Sequence, residues 1–132
     1  MIVVIDVSGV TEILFHKEKA RKFEKVLREA THVITPDLYI SELTNTLWKY
    51  NKIKKTAEEK CMQFINNGIG FIGNFTNSID IWQEAFTESI NNKHSVYDMF
   101  YMVTARRNSA ILITNDQELA AICKKNYIQV CH

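Results

Sequence analysis

Glycine and proline are scarce in this sequence, at four residues and one, and that scarcity excludes collagen-like and low-complexity disordered chains. The three cysteines, Cys61, Cys123 and Cys131, are too few, odd in number and too far apart for a small disulfide scaffold. A reducing cytoplasm is therefore the expected compartment. Zinc is not expected, because Cys123, Cys131 and His132 lack the close Cys pair that usually supplies two of its four ligands. No apolar run approaches the ~20 residues that cross a bilayer. Met1 to Asp6 has neither the basic start nor the length of a signal peptide, so no membrane association is expected. Charge of one sign is missing as well. Sixteen Lys and Arg stand against fifteen Asp and Glu, a formal charge of +1, which excludes the uniformly basic footprint of a histone-like nucleic-acid binder. Any basic surface has to be local.

What is present is an ordinary globular composition. The 132 residues, 46% of them apolar, suit one domain spanning residues 1–132. Ile2 to Ile5 is a continuous β-branched run, the pattern of a strand buried on both faces. Ile13 and Leu14, then Phe23, Val26 and Leu27, recur at helical spacing. Val33 and Ile34 predict a second strand. Thr35 and Pro36 predict an N-cap and first helical residue for a helix carrying Tyr39, Leu43, Leu47 and Tyr50. A further helix is expected from about Thr56 to Phe64, stopped by Asn67-Gly68, and a third strand within Ile69 to Phe75. Helices follow over Ser78 to Ile90 and from Ser95, then strand Ala110 to Ile113, helix Gln117 to Lys125 and strand Ile128 to Cys131. Alternating strands and helices predict an α/β sandwich with a mainly parallel sheet. Phe15, Trp48, Trp82 and Phe86 are expected in the core, with surface anchoring as the alternative.

In an open α/β sheet, ligands bind beyond the carboxyl ends of the strands. Asp6 and Asp116 follow the first and fourth strands directly, while Glu42 and Asp98 fall in the first two turns of helices whose starts can face the same edge. Four carboxylates would then converge. Each has a plainer role open to it. Ser95 to Asp98 fits a capping box, Asp116 can cap the helix at Gln117, and Glu42 can be a solvated charge. Asp6 is different, because a carboxylate directly after a buried run is rarely left without a partner.

Val3-Val4-Ile5-Asp6-Val7-Ser8, Glu42-Leu43-Thr44-Asn45, Tyr97-Asp98-Met99-Phe100-Tyr101-Met102-Val103-Thr104-Ala105 and Leu112-Ile113-Thr114-Asn115-Asp116 resemble, in order and spacing, the motifs of PIN domains, particularly VapC-like toxins. The resemblance spans nearly the whole chain. It implies a five-stranded sheet ordered 3-2-1-4-5 in a three-layer α/β/α sandwich, and a Mg²⁺- or Mn²⁺-dependent ribonuclease site. Asp6, Glu42, Asp98 and Asp116 fall on the family's acidic positions, and Ser8, Asn45 and Thr114 on its small polar supporting positions. Gly9 stands where the family usually has an apolar residue. An RNA substrate and a small antitoxin partner are implied too.

Phosphodiester hydrolysis needs an in-line water, neutralisation of the transition-state charge and stabilisation of the leaving oxygen. A hard divalent ion bound by a few carboxylates and waters serves all three. Asp6 and Asp98 are the expected direct ligands, with Glu42 and Asp116 acting through water or a second ion. Of the four histidines only His94 is close to an acidic motif. RNA also needs cations at the rim of an acidic pocket. Lys49, Lys52, Lys54 and Lys55, after Glu42, are the expected RNA-binding group, ahead of the Lys17 to Arg28 cluster that glutamates dilute. A haloacid-dehalogenase-like phosphatase is excluded by Ser8, where a second Asp is required. A response-regulator receiver lacks its middle-strand Asp. The remaining alternative is a PIN-like interaction module with an inactive site. A homodimer is expected.

Overall fold

Ile2–Ile5 forms β1, the central strand of the computed structural model, which describes residues 1–132. The chain continues through α1 (Val7–Leu14), α2 (Ala20–Glu29), β2 (His32–Pro36), α3 (Leu38–Lys54), α4 (Glu58–Gly70), β3 (Asn74–Thr76), α5 (Ser78–Asn92), α6 (Val96–Arg107), β4 (Ile111–Ile113), α7 (Gln117–Lys125) and β5 (Val130–Cys131). β1 pairs with β2, Val3 opposite Val33, and on its other side with β4, Val4 opposite Leu112. β3 extends the sheet beyond β2, and β5 extends it beyond β4. Every pairing is parallel and the order is β3-β2-β1-β4-β5.

With this strand order, the right-handed crossover rule puts the helices between β1 and β3 on one face and those between β3 and β5 on the other. The packing agrees: α1 touches α2, α3 and α4, while α6 lies across β1, β2 and β4 and packs with α5. The sheet is therefore covered twice, the α/β/α sandwich its hydrophobic strands require. Phe23, Leu43, Leu47, Met99, Met102, Leu112 and Ile113 are wholly buried, each contributing roughly 1.5–3 kcal/mol on transfer from water. No helix is long and apolar enough to cross a membrane.

Three expectations are corrected. Pro36 is the last residue of β2, paired with Thr76, and α3 begins only at Leu38. Its missing N–H costs nothing where the strand stops, and Thr35 turns its hydroxyl to the Ile5 carbonyl instead of capping a helix. Asn67-Gly68 does not stop α4, which runs on to Gly70, and β3 shrinks to Asn74–Thr76. Gly68 is needed for close approach: a Cβ there would lie 2.6 Å from Leu43 Cδ2, and the Gly68 carbonyl accepts a hydrogen bond from Tyr39 Oη at 2.8 Å. Packing of α4 on α3 overrides the glycine's tendency to end a helix. Lastly, Trp48, Trp82 and Phe86 are 54%, 47% and 57% exposed and so are not core residues. Trp82 and Phe86 join Ile79 and Ile90 in an exposed apolar stripe on α5, on the opposite side from buried Ile81 and Ala85. Only Phe15 packs inward, stacked on Tyr50 with ring centroids 4.4 Å apart.

Candidate active site

Parallel strands end on one edge, and their ends there deliver the first two acids. Asp6 leaves β1 in extended conformation and is the N-cap of α1, its Oδ1 accepting from Gly9 N at 2.7 Å. Ser8 Oγ donates to the same oxygen at 2.7 Å, and Thr114 Oγ1, at the end of β4, donates to Oδ2. Gly9 departs from the family pattern for a steric reason, since a Cβ there would meet the Ile113 carbonyl at 3.0 Å and Ile5 Cγ1 at 3.1 Å. The α1 start is thereby drawn tight against β4. Asp6 is only 6% exposed. Burial outweighs its three hydrogen bonds, and with a contribution from the Asp98 charge it pushes the carboxyl up to about 6 from an ordinary 3.8.

Thr114 and Ser8 connect Asp6 to the β4–α7 turn. Thr114 Oγ1 accepts from Asp116 N at 3.0 Å, and Ser8 Oγ accepts from Asn115 N at 2.8 Å. Asp116 caps α7 by accepting from Leu119 N at 3.0 Å. Capping and site membership are thus compatible for Asp6 and Asp116, because each cap uses one carboxylate oxygen.

Helices α3 and α6 bring in the other two acids. Glu42, half-buried in the second turn of α3, accepts from Tyr101 Oη of α6 at 3.0 Å. Burial and the Asp98 and Asp6 charges overcome this hydrogen bond and raise Glu42 to about 7. The Asp98 carboxyl is also raised, first by burial and then by the Asp116 and Glu118 charges, while His94 opposes the shift. These mutual effects join all four acids in one electrostatic neighbourhood. The capping box expected at Ser95 is not formed. Asp98 Oδ2 is held instead by His94 Nε2, 2.6 Å away and one turn earlier. No Lys or Arg forms an ion pair with any of the four.

Tyr101 and Glu12 escaped the sequence reading, which did single out His94. Tyr101, three residues after Asp98, shares its helical face, a spacing that could have pointed to it. His94 lies in the bend before Ser95, outside α6, and reaches Asp98 back across the helix start. Glu12, 7% exposed, accepts from Lys19 N at 3.1 Å and from Asn115 Nδ2 at 3.1 Å, tethering the turn that carries Asp116; no local motif marks it. Asn45 is exposed on α3 and stays outside the carboxylate network. The lysines divide. Lys52 Nζ lies 5.1 Å from the Trp48 ring centroid and Lys54 Nζ 4.9 Å from that of Tyr50, on different sides of α3, and Lys55 is the left-handed residue that ends the helix.

The donor set fits a hard cation, since four carboxylates and two hydroxyls offer oxygen alone. No three of the His, Cys, Asp and Glu side chains form a ready-made ligand cage. Each carboxylate is instead tied to a protein donor.

Known proteins resemble the chain in both sequence and structure. The family model described as PIN domain matches residues 3–125. Ribonuclease VapC3 of Pyrobaculum aerophilum is 24% identical over 122 residues, covering 91% of this chain and 93% of that protein. The crystal structure of PAE2754, also from Pyrobaculum aerophilum, superposes with a TM-score of 0.75 at 18% identity, over 92% of this chain and 87% of that one. The latter likeness establishes the fold alone.

Proposed function

Because the chain belongs to the PIN-domain family, we propose that it is a Mg²⁺- or Mn²⁺-dependent endoribonuclease that hydrolyses RNA at Asp6, Glu42, Asp98 and Asp116. The observation that carries this reading is Asp6, a carboxylate 6% exposed at the carboxyl end of β1, beside three further acids and without a Lys or Arg partner. Such a group is costly to bury, and a bound cation would offset the cost. The ribonuclease name of the Pyrobaculum relative supports the same chemistry.

Asp6 and Asp98 would hold the ion, and Asp116 and Glu42 would reach it through water or hold a second. Bound there, the ion supplies charge neutralisation at the phosphate and lowers the pKa of a coordinated water. Gly9 N and Ser8 Oγ occupy Asp6 Oδ1 and Thr114 Oγ1 fixes Oδ2, which keeps one lone pair for an ion. Tyr101 occupies Glu42 Oε1 and leaves Oε2 free. With a carboxyl near neutrality, that oxygen is suited to take the proton of the attacking water. His94 orients Asp98 through Nε2. Lys49 and Lys52, with Lys54 and Lys55 beyond them, would receive the RNA.

The VapC-like character further suggests a small antitoxin that inserts an Arg or Lys among the carboxylates where the metal would be. The exposed α5 stripe of Ile79, Trp82, Phe86 and Ile90 supports a homodimer. Three unpaired thiols are consistent with work in a reducing cytoplasm. The separately tied carboxylates favour one alternative, an interaction module with an inactive site. RNA incubated with the purified protein in Mn²⁺ or in chelator, with the products sequenced, decides between them. Discrete cuts that vanish in chelator are expected; intact RNA in both would leave the interaction module.

A further inference from the structure

Glu42, Asn45, Lys49 and Lys52 stand at i, i+3, i+7 and i+10 of α3, so they share one side of the helix, running from the carboxylates towards its far end. Lys49 and Lys52 are exposed and form no ion pair with any acid. Lys49 is seven residues, roughly 10 Å along the axis, from Glu42, and Lys52 one turn farther. Beside this line, Trp48 is more than half exposed, and the Lys52 ammonium lies over its ring. Trp48 also borders a groove of about 400 Å³ between α3 and α4. Leu47, Cys61, Met62 and Ile65 are apolar in its lining, Thr44 and Asn51 are polar, and Glu58 is its one acid.

We infer that Trp48 and this groove form a stacking platform for an unpaired base of single-stranded RNA, with Lys49 and Lys52 holding the phosphates that lead from it to the carboxylates. This rests on the ribonuclease reading above and adds a subsite to it. The chemistry is complementary on both counts. An unstacked base has an apolar face for an exposed indole and polar edges for Thr44 Oγ1, which donates to the Ile40 carbonyl but can still accept, and for Asn51 Oδ1, whose amide nitrogen is held by the Thr56 carbonyl. Neither Lys49 nor Lys52 has a carboxylate partner, and a base stacked on Trp48 would take the place the Lys52 ammonium holds over the ring and free it for the backbone charge that the acidic pocket itself repels. Lys54, over Tyr50 on another side of α3, and Lys55, at the helix end, lie off this line and belong to the wider basic rim.

The test is the affinity of a 12-nucleotide unstructured RNA, followed by fluorescence anisotropy across a salt series. The Asp98→Asn background, which leaves the track intact, serves to prevent turnover. Trp48→Ala should weaken binding by between about 5-fold and 150-fold, the range for loss of one stacked base, without changing the slope of log affinity against log salt. Trp48→Phe should restore most of it. Lys49→Ala with Lys52→Ala should instead flatten the slope by about 0.7 for each phosphate that is no longer neutralised. A Trp48→Ala protein with unchanged melting and unchanged RNA affinity would overturn the platform. If that variant also changed a dimer into a monomer, Trp48 would belong to a protein interface instead. Cleavage by the parent in Mn²⁺ keeps the two readings separable. A parent that cleaves while Trp48→Ala binds normally defeats this inference alone, whereas a parent that neither binds nor cleaves RNA defeats both.

Discussion

Asp6→Asn should make the metal-free protein more stable at pH 7 and flatten its dependence on pH. In the native protein, burial raises the Asp6 carboxyl to about 6 and Glu42 to about 7, from ordinary values of 3.8 and 4.5. A carboxyl whose folded-state pKa is raised stabilises the native state below its unfolded pKa, and that contribution is lost as pH rises through the folded value. Metal-free stability should therefore increase as pH falls from 7 towards 5. With 1.36 kcal/mol per unit, Asp6 accounts for roughly 1 kcal/mol over that interval and Glu42 for up to roughly 2. For a chain of this size that is a rise of several degrees in Tm. Asn retains the capping bond from Gly9, since it caps about as well as Asp, but carries no charge to desolvate. Melting curves of parent and variant in chelator at pH 7 and 5.5, repeated in Mn²⁺, measure the effect. The parent should gain from both acid and metal, and the variant should gain less from acid and little from metal. A parent that loses stability on acidification and ignores Mn²⁺ would refute the reasoning, because independent helix caps behave in that way.

Tyr101→Phe removes the only hydrogen bond that holds Glu42 down, so the Glu42 carboxyl should titrate still higher and metal-dependent activity should shift its pH midpoint upward; a pH–rate profile checks this. Gly68→Ala puts a Cβ 2.6 Å from Leu43 Cδ2, and overpacking of about 1–3 kcal/mol set against about 1 kcal/mol of helix propensity gained within α4 should leave a loss of up to about 2 kcal/mol, readable by urea denaturation. RNA cut by water leaves no 2′,3′-cyclic phosphate, so end analysis of the products should find none. An inhibitory partner that places a cation among the carboxylates should lower Mn²⁺ affinity in the complex, which calorimetry would register.

The β-branched run before Asp6 and the acids after β1 and β4 were legible because a parallel sheet buries both faces of its strands and exposes their ends. Four motifs in register made the strand order readable as well. What could not be read depends on packing between distant segments. Gly68 looks like a helix stop in a linear chain and acts as a close-packing residue only because α3 lies against it. Pro36 looks like a helix start, yet β3 recruits it into the sheet. Trp82 and Phe86 have core spacing, but α5 turns Ile81 and Ala85 inward. The support of the site follows the same rule. Ser8 and Thr114 belong to recognisable motifs, whereas Glu12 and Tyr101 reach Asn115 and Glu42 across 103 and 59 residues of sequence.

The central claim is that four carboxylates from β1, α3, α6 and the β4–α7 turn act as one metal-dependent nuclease centre. Its most direct test is the rate of RNA cleavage by Asp98→Asn at saturating Mn²⁺, beside the parent with and without chelator. The amide should reduce the rate by about 10²-fold or more, as removing one preorganised group that stabilises the transition state does, in a protein that still melts cooperatively, and chelator should silence the parent. Cleavage by Asp98→Asn at the parental rate, or by the parent in chelator, would contradict the account.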